Sequence, residues 1–285
     1  MSSDIIIRSA ETSDKDVLHL FFKKNLIIHR HLDWRQPLDW IGHSPFLMIE
    51  KGGQIQSLLI CPSDIEDVYW IRIFATLLTI PVEECFRMLF SEALKEIQSF
   101  SKNPLIASIA YPMWMRNLLE KNGWEICQEV VQMRWNRRNG IQLDGLKEND
   151  FMIRKMFAPD LPSVTQIDQI CFEKIWQHSG DSIERAFEQS AYSTVAEMAG
   201  KIAGFQISTA MKNHAHIARL AVLPEFRRMN IGICLINDVL ENFRRHRARE
   251  ITVNTQQQNY KSLGLYKKLG FEMTSDGFPI YRYRI

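Results

Sequence analysis

Residues 227–232 combine the residue types that bind phosphate groups. Two cations precede an asparagine, which tolerates a left-handed backbone, and a glycine in the run Arg227-Arg228-Met229-Asn230-Ile231-Gly232. Apolar residues then recur at the spacing of one helix face, at Ile233, Ile236 and Leu240. The first N–H groups of a helix lack intrahelical partners, and the helix dipole adds partial positive charge there. The run therefore predicts an anion site, with phosphates held by backbone N–H groups at a helix N terminus.

The run resembles motif A of the GCN5-related N-acetyltransferases (GNAT), whose pyrophosphate loop reads Gln/Arg-x-x-Gly-x-Gly/Ala. Asn230 stands where the first glycine is usual, and an asparagine can meet the same backbone demand. The preceding run also fits the motif, with Leu220-Ala221-Val222-x-Pro224. The resemblance implies that this turn holds the pyrophosphate of acetyl-CoA as acyl donor, while the strand offers backbone groups to the pantetheine arm. The donor-binding residues that it implies are Leu220, Val222, Arg227, Arg228, Met229, Asn230, Ile231, Gly232 and Ile233.

A second cluster reads Asn259-x-x-Ser262-x-x-x-Tyr266 and is followed by Gly270-Phe271. It resembles motif B of the same family, which reads Asn-x-x-Ala/Ser-x-x-x-Tyr before a Gly-Phe pair. By resemblance, Asn259 contacts the pantetheine arm, Ser262 lies near the donor, and Tyr266 protonates the leaving CoA thiolate. Aminolysis of a thioester expels a sulfur anion, and a phenol can supply that proton without a charge at neutral pH. The alternative for Tyr266 is a tyrosine that only packs in a core, but its spacing to Asn259 and Gly270 favours the functional role.

The sequence indicates less clearly which group takes a proton from the incoming ammonium. A carboxylate, an imidazole or water can do this. His214 and His216 begin the strand that leads to the phosphate turn, and strand alternation places them on one face. Glu197 lies on a neighbouring predicted strand. His216 is the preferred candidate, against the alternative that each of these is an ordinary surface or edge residue.

Alternating strands and helices must position these residues, which predicts an α/β (α+β) fold with mixed, mostly antiparallel sheets flanked by helices. In the second half we predict strands at 153–157, 192–198, 202–210, 215–222 and 250–254, with two more from 271 onward. The predicted helices there are 161–172, 182–190, one from the phosphate turn to about 244, and 259–269. In the first half we predict strands at 4–8, 46–50, 55–60, 68–78, 105–110 and 124–135 and helices from 13 to about 26, 81–100 and 113–122.

The two halves of the chain repeat each other. Asp4-x-x-Ile7-Arg8 recurs as Asp150-x-x-Ile153-Arg154, about 146 residues further on, and the run 118–125 recurs at 265–272. A period this long indicates tandem domains rather than a solenoid. A polar, turn-rich stretch separates the halves, so we predict a GNAT-like domain at 1–138, a linker at 139–149 and a second GNAT domain at 150–285.

The halves differ at the positions that carry the chemistry. The N-terminal counterpart of the phosphate turn, 77–85, has no glycine, and it places Glu83 and Glu84 at a helix start, where they would repel a pyrophosphate. Leu119 stands where Tyr266 stands in the second half. The first domain is therefore predicted to be degenerate, a structural or acceptor-shaping partner of the domain that carries the acyl-CoA site.

Composition narrows the class of protein. With 285 residues, 46% of them hydrophobic, the chain can bury substantial cores and does not belong to the disordered class. A formal charge of +2 is too small to indicate nucleic-acid binding. The five cysteines show no ligand spacing, so we expect neither a metal nor a disulfide framework. No apolar run reaches the roughly 20 residues that span a bilayer, and no signal peptide is present, so we expect no membrane partner and a cytoplasmic location.

The sequence thus predicts an acetyl-CoA-dependent N-acetyltransferase that acts on an amine of a small molecule or peptide, as a monomer or homodimer. One alternative is a non-catalytic acyl-CoA-binding regulatory protein, which Asn230 and the lack of an obvious base would fit. Another is an aminoacyl-type transferase with a different acyl donor. Such enzymes bind a tRNA carrier, and the near-neutral charge argues against that partner.

Overall fold

The computed structural model describes residues 5–136 and 150–285. Two compact units are formed, each with a mixed, mostly antiparallel arrangement of strands and flanking helices, which confirms the predicted fold class. Unit 1 comprises Met1–Cys127 with Pro279–Ile285, and unit 2 comprises Gln128–Phe278. Each unit therefore contains the closing strand of the other half, a division that differs from domains at 1–138 and 150–285. The predicted linker at 139–149 lies outside the described residues.

Unit 1 contains eight complete strands and three helices. The strands are β1 (Ile5–Ser9), β2 (Leu26–Arg30), β3 (Phe46–Lys51), β4 (Gln54–Ile60), β5 (Ser63–Ile65), β6 (Val68–Trp70), β7 (Ile73–Leu77) and β8 (Leu105–Ile109). The helices are α1 (Lys15–Phe22), α2 (Val82–Phe100) and α3 (Met113–Lys121). Five strands form one antiparallel sheet in the order β1-β3-β4-β7-β2, whereas β6 pairs in parallel with β8. The end of the chain, 280–283, completes the unit by pairing with β8.

Unit 2 repeats this order of elements. Its strands are β9 (Glu125–Asn136, in this unit from Gln128), β10 (Met152–Lys155), β11 (Tyr192–Met198), β12 (Lys201–Met211), β13 (His214–Val222), β14 (Glu250–Gln256) and the first part of β15 (Glu272–Tyr283). Its helices are α4 (Leu161–Cys171), α5 (Gly180–Glu188), α6 (Ile231–Arg245) and α7 (Tyr260–Lys268). Neighbouring strands pair in the order β10-β11-β12-β13-β14-β9, and only the β13–β14 pair in this run is parallel. One apolar face of α6 and the buried residues of α7 share a core with β13 and β14.

One ion-pair arrangement recurs in both units and supports the repeat. In unit 1, Arg8 on β1 donates from Nε to Glu50 (2.8 Å) and from both terminal nitrogens to Asp14 (2.8 Å each). The same three contacts recur in unit 2, at 2.7–2.9 Å, among Arg154, Glu197 and Asp160. Each arginine thereby joins the first strand to the next strand of the sheet and to the turn that begins the first helix.

Three predictions of secondary structure are wrong in detail. The predicted strand at 68–78 is broken at Ile71 and Arg72, because β6 pairs with β8 while β7 pairs with β4 and β2. The first helix ends at Phe22, and Leu26 begins β2 instead of continuing the helix. A single strand, β15, replaces the two strands predicted after 271. In each case the error concerns pairing between segments distant in sequence, which a local pattern does not report.

Candidate functional site

The turn between β13 and α6 contains two residues with a left-handed backbone conformation. Asn230 has φ 63° and ψ 4°, the conformation for which the sequence analysis accepted asparagine in place of glycine. Arg228 also has a positive φ, 67°, which the sequence did not indicate. Residues 227–230 are exposed. The turn therefore presents its backbone to solvent beside the start of α6.

The first N–H groups of α6 are available to a ligand. The first intrahelical hydrogen bond runs from Cys234 N–H to the carbonyl of Asn230, at 3.0 Å, and the Asn230 side chain caps none of the preceding groups. The N–H groups of Ile231, Gly232 and Ile233 therefore lack intrahelical partners, as an anion site requires.

Gly232 lies in tight contact with α7. A Cβ atom built on Gly232 would lie 3.2 Å from the Cδ2 atom of Leu265 on α7, and 3.9 Å from a methyl group of Val222. A glycine here also lets a ligand approach the backbone closely. The structure adds a second reason, because the absent side chain lets α7 pack close to the start of α6.

The two arginines of the turn differ in their contacts. Arg227 donates from Nε to the carbonyl oxygen of Val222 (3.2 Å), which also accepts from the thiol of Cys171 (3.4 Å). Arg227 thus ties the turn back to β13. Arg228, in contrast, makes no hydrogen bond or ion pair with a described residue and is exposed. Its charge is free to meet an anion at the helix start.

Next to this turn, β13 separates from its parallel neighbour. β13 pairs with β14 only from His214 to Ile217, where Ile217 lies opposite Val253. The register of β13 on β12 shifts at Ala218, a bulge, and the pairing with β12 then continues to Val222. β14 meanwhile continues along β9 to Gln256. Within the described chain, the edge of 218–222 that faces away from β12 has no strand partner, and we call it the open edge.

Leu220 and Val222, the predicted strand contacts of the donor, lie on this unpaired stretch. Both side chains pack against a cluster with Ile231 and Leu235 of α6. Their backbone, not their side chains, therefore borders the open edge. That edge ends at the turn and the α6 N terminus.

Tyr266 is buried beneath the point where the strands separate. It shares a cluster with Ile217 and Val253, and its ring packs on Phe271 with centroids 5.6 Å apart. Burial raises the pKa of its phenol above the ordinary value. The hydroxyl makes no hydrogen bond to a described residue. A phenol in this state remains protonated at neutral pH and can donate.

Asn259 and Ser262 have structural partners at the start of α7. The Asn259 side-chain oxygen accepts the backbone N–H of Ser262 (3.2 Å), which caps the helix, and its amide nitrogen donates to Thr255 (3.2 Å). The cap alone explains an asparagine at this position. Their contact with a pantetheine arm stays a prediction.

His216 lies on the other face of the sheet from Tyr266. Ala215 and Ile217 pack in the Tyr266 cluster, so strand alternation turns His216 away from it. Its Nδ1 lies 2.9 Å from the hydroxyl of Thr252. Burial lowers the pKa of His216 to about 4, so the imidazole is neutral at pH 7. The proton-accepting role stays a prediction, and its weak basicity limits that role.

The other two candidates for the proton-accepting group have polar partners of their own. His214 is exposed, with Nδ1 2.8 Å from Glu250. Glu197 accepts from Arg154 at 2.7 Å as part of the repeated ion-pair arrangement. Neither borders the unpaired stretch of β13.

Unit 1 fills the equivalent open edge with its own chain. β7, the counterpart of 218–222, pairs with β4 on one side and with β2 on the other, from Leu26 opposite Leu77 to Arg30 opposite Ile73. α2 begins at Val82 with two carboxylates in its first turn, and Leu119 is fully buried at the position equivalent to Tyr266. These features support the predicted degeneracy of the first half at this site, which stays a prediction.

Sequence reasoning missed one residue beside the open edge, Arg219, which follows the bulge. It makes a buried ion pair with Asp168 of α4. The repeat held a signal for it, since Arg72 precedes Arg219 by 147 residues, the same offset that separates 118–125 from 265–272. No group of three or more potential metal ligands occurs among the described residues. No helix in the described ranges is long and apolar enough to cross a membrane.

Comparison with known proteins identifies related sequences for the second half of the chain. A family profile described as an acetyltransferase (GNAT) domain matches residues 161–279. A Bacillus subtilis protein named as a candidate ribosomal protein bS18-alanine N-acetyltransferase is 27% identical over 120 residues, covering 42% of this chain and 80% of that protein. An N-alpha-acetyltransferase of Sulfurisphaera tokodaii is 25% identical over 140 residues, covering 44% of this chain and 83% of that protein.

Solved structures resemble the chain over nearly its whole length. A GCN5-related N-acetyltransferase from Sphaerobacter thermophilus has a TM-score of 0.61 and 12% identity, covering 98% of this chain and 95% of its own. A tandem GNAT protein from the clavulanic acid biosynthesis pathway has a TM-score of 0.65 and 12% identity, covering 98% of both chains. At these identities the likeness is one of fold, and the fold includes the tandem arrangement.

Proposed function

We propose that unit 2, in which residues 161–279 match a GNAT acetyltransferase domain, transfers the acetyl group of acetyl-CoA to the α-amine of a polypeptide. Members of this family use an acyl-CoA donor and an amine acceptor. One observation carries the assignment of the donor site: the unpaired edge of 218–222 leads directly into the exposed turn and the α6 N terminus.

The donor fits this arrangement in two parts. The amide groups of a pantetheine arm can hydrogen-bond to the open edge of β13 as a neighbouring strand would. The pyrophosphate then reaches the N–H groups of Ile231, Gly232 and Ile233, with Arg228 beside it. The thioester at the other end of the arm lies near the separation point, beyond Ile217.

The chemistry needs one proton donor at the sulfur. The amine nitrogen attacks the thioester carbonyl carbon, the C–N bond forms, and the C–S bond breaks. The ammonium nitrogen gives up two protons. One makes up for the proton that the departing sulfur takes as it becomes a thiol, and the other passes to solvent. We assign Tyr266 the donation to sulfur, because its raised pKa keeps the phenol protonated until the thiolate forms. The phenol regains its proton from the nitrogen.

We assign His216 a minor role in removing the first proton, with water. Its pKa of about 4 leaves it neutral and able to accept a proton near pH 7. General bases are most effective with a pKa near the working pH, so an imidazole of this pKa holds the proton only briefly. Replacement by glutamine should therefore lower kcat less than loss of the Tyr266 hydroxyl.

The choice of acceptor rests on the relatives and on basicity. The Sulfurisphaera relative is named an N-alpha-acetyltransferase, and the Bacillus relative is named for an alanine of a ribosomal protein. A peptide α-amine has a pKa of about 8, whereas the lysine amine has one of about 10.4. More of the α-amine is uncharged at neutral pH, which suits a site with a weak base.

Two measurements test the proposal. Acetyl-CoA is titrated calorimetrically into the wild type and into Arg228→Glu, with Arg244→Glu at the far end of α6 as the matched control. Only Arg228→Glu should lose binding. Transfer is then followed by mass spectrometry, with a peptide that has a free N-terminal alanine and the same peptide with a blocked N terminus and an internal lysine. Absence of acetyl-CoA binding by the wild type would refute the donor, and acetylation of the lysine peptide alone would refute the acceptor class.

A further inference from the structure

Arg219 connects the open edge of β13 to the segment that follows α4. It is the first residue of β13 to pair with β12 after the bulge, beyond the last pair with β14. Its neighbour Leu220 packs toward α6, so the Arg219 side chain lies on the opposite face. There its Nε–H donates to the carboxylate of Asp168 on α4, and a terminal N–H donates to the carbonyl oxygen of Trp176. The guanidinium also lies over the ring of Phe172, 3.5 Å from its centroid.

Asp168 uses both carboxylate oxygens in this contact. One oxygen accepts from Arg219, and the other accepts the backbone N–H of His178 (2.9 Å). Asp168 is fully buried, and the side chain of Arg219 is 11% exposed. A buried charge pair of this kind loses much of its stabilisation when one partner is removed, because the other charge stays buried.

The segment 172–179 depends on side chains for its conformation. It contains a single short 3₁₀ turn, Lys174–Trp176, between the end of α4 and the start of α5. The Gln177 amide donates to the carbonyls of Gln169 and Phe172, and the Trp176 indole donates to Gln128 of β9. Arg219 ties this segment to the strand bordering the open edge.

Unit 1 has an arginine one residue before the register equivalent of Arg219, because Ile60 pairs with Ile73 where Ile207 pairs with Arg219. Arg72 lies at the break between β6 and β7, and its guanidinium is 3.6 Å from the carboxylate of Asp33. It also lies 5.1 Å from the ring centroid of Trp40. In each unit, an arginine at the separation point therefore holds a loop through an aspartate and an aromatic ring. The contact is retained in unit 1 although that unit has lost the open edge.

We propose that Arg219 is a positioning residue for the acceptor: it fixes 172–178 at the start of the open edge and so sets where the amine meets the thioester. This proposal rests on the proposed function. α6 and α7 cover one face of β13 and β14, and on the opposite face Arg219 joins β13 to α4 and to Trp176, so an acceptor on that face meets the thioester beside the segment that Arg219 holds. Arg219 lies on the strand to which we assign the pantetheine arm, but a lysine keeps its backbone groups, so Arg219→Lys should affect the acceptor more than the donor.

The test compares Arg219→Lys and Asp168→Asn with a matched ion pair on the same helix. Lysine keeps the charge but loses the planar fork and the stacking, and asparagine keeps the oxygen for His178 but loses the charge. Arg154→Lys and Asp160→Asn alter a comparable pair at the N-terminal end of α4, which joins β10 to β11 and makes no hydrogen bond to 172–178 among the described contacts. We expect KM for the peptide amine to rise about tenfold in the first two variants, with the Kd of acetyl-CoA changed less than about twofold. The control variants should leave both unchanged.

A second measurement does not depend on activity. Hydrogen exchange of the peptide that covers 172–178 should become faster in Arg219→Lys and Asp168→Asn, and should stay at the wild-type rate in Arg154→Lys. Unchanged exchange, or equal changes in amine KM and acetyl-CoA Kd, would overturn the role of Arg219. If the wild type binds no acetyl-CoA, the proposed function fails by itself, and the exchange rates still show whether Arg219 orders the segment.

Discussion

Ile217 lies opposite Val253 in the last residue pair between β13 and β14, and beyond it each strand continues with a different partner. Both residues pack in the cluster that holds Tyr266. The strand separation and the phenol are thus parts of one local arrangement. This relation links a feature of sheet topology to a single side chain that can supply a proton.

Tyr266→Phe should abolish most turnover without loss of the fold. The change removes only a hydroxyl that makes no hydrogen bond to a described residue, so the free energy of unfolding should change little. We expect kcat to fall by about 10²- to 10⁴-fold, the usual contribution of general acid–base catalysis, with the Kd of acetyl-CoA unchanged. Steady-state kinetics and calorimetry measure both. Tyr260→Phe, exposed on the same helix, is the control, and full activity of Tyr266→Phe would remove the phenol from the mechanism.

The left-handed backbone of Asn230 should decide which substitutions the turn accepts. Asn230→Gly meets no steric penalty at φ 63°, whereas Asn230→Ala should cost about 1 kcal/mol of stability, because alanine lacks the short polar side chain that makes the left-handed conformation accessible to asparagine. The alanine variant should also bind acetyl-CoA more weakly, and the glycine variant should bind it as the wild type does. Urea unfolding and calorimetry report the two effects. Asn213→Ala, in an exposed turn without a positive φ, is the control, and equal behaviour of the glycine and alanine variants would contradict the argument.

The chemistry-bearing turn was predictable because its signals are local. A strand, a basic turn with Asn230 and Gly232, and an amphipathic helix follow one another within 219–240, and each has its own residue pattern. The repeat was equally readable, since Arg8 and Arg154 recur at a fixed distance with their carboxylate partners. These inferences needed no knowledge of which strands pair.

The features that the sequence did not reveal depend on long-range pairing. β2 reads locally as the tail of a helix, and only its contact with β7, more than 40 residues away, makes it a strand. The sequence also did not reveal that each unit contains the closing strand of the other half. β9 and β15 occupy equivalent positions in the two halves, and their local sequence does not show that β9 pairs with β14 and β15 with β8. The ion pair of Arg219 with Asp168 likewise joins residues 51 apart.

His29 should make unit 1 sensitive to mild acid. It is buried on β2, and burial lowers its pKa to about 4 from 6.5. The unfolded chain therefore binds more protons between these values, so stability is complete above about pH 6.5 and is lost as the pH falls toward 4. Between pH 7 and pH 5 this one residue should cost about 2 kcal/mol. In His29→Leu the fall in unfolding free energy should be smaller by that amount, measured in urea at both pH values, whereas the exposed His19→Gln should behave as the wild type. An identical fall in His29→Leu would contradict this assignment.

The strand β2 leads to a prediction of stoichiometry. It pairs along the whole of β7, so the edge that stays open in unit 2 is occupied in unit 1. Glu83 and Glu84 also lie in the first turn of α2, where they disfavour an anion. We therefore expect one acetyl-CoA per chain by calorimetry and by native mass spectrometry. Arg228→Glu should reduce this number from one to zero; a second site in unit 1 would instead give two molecules in the wild type and leave one in the variant.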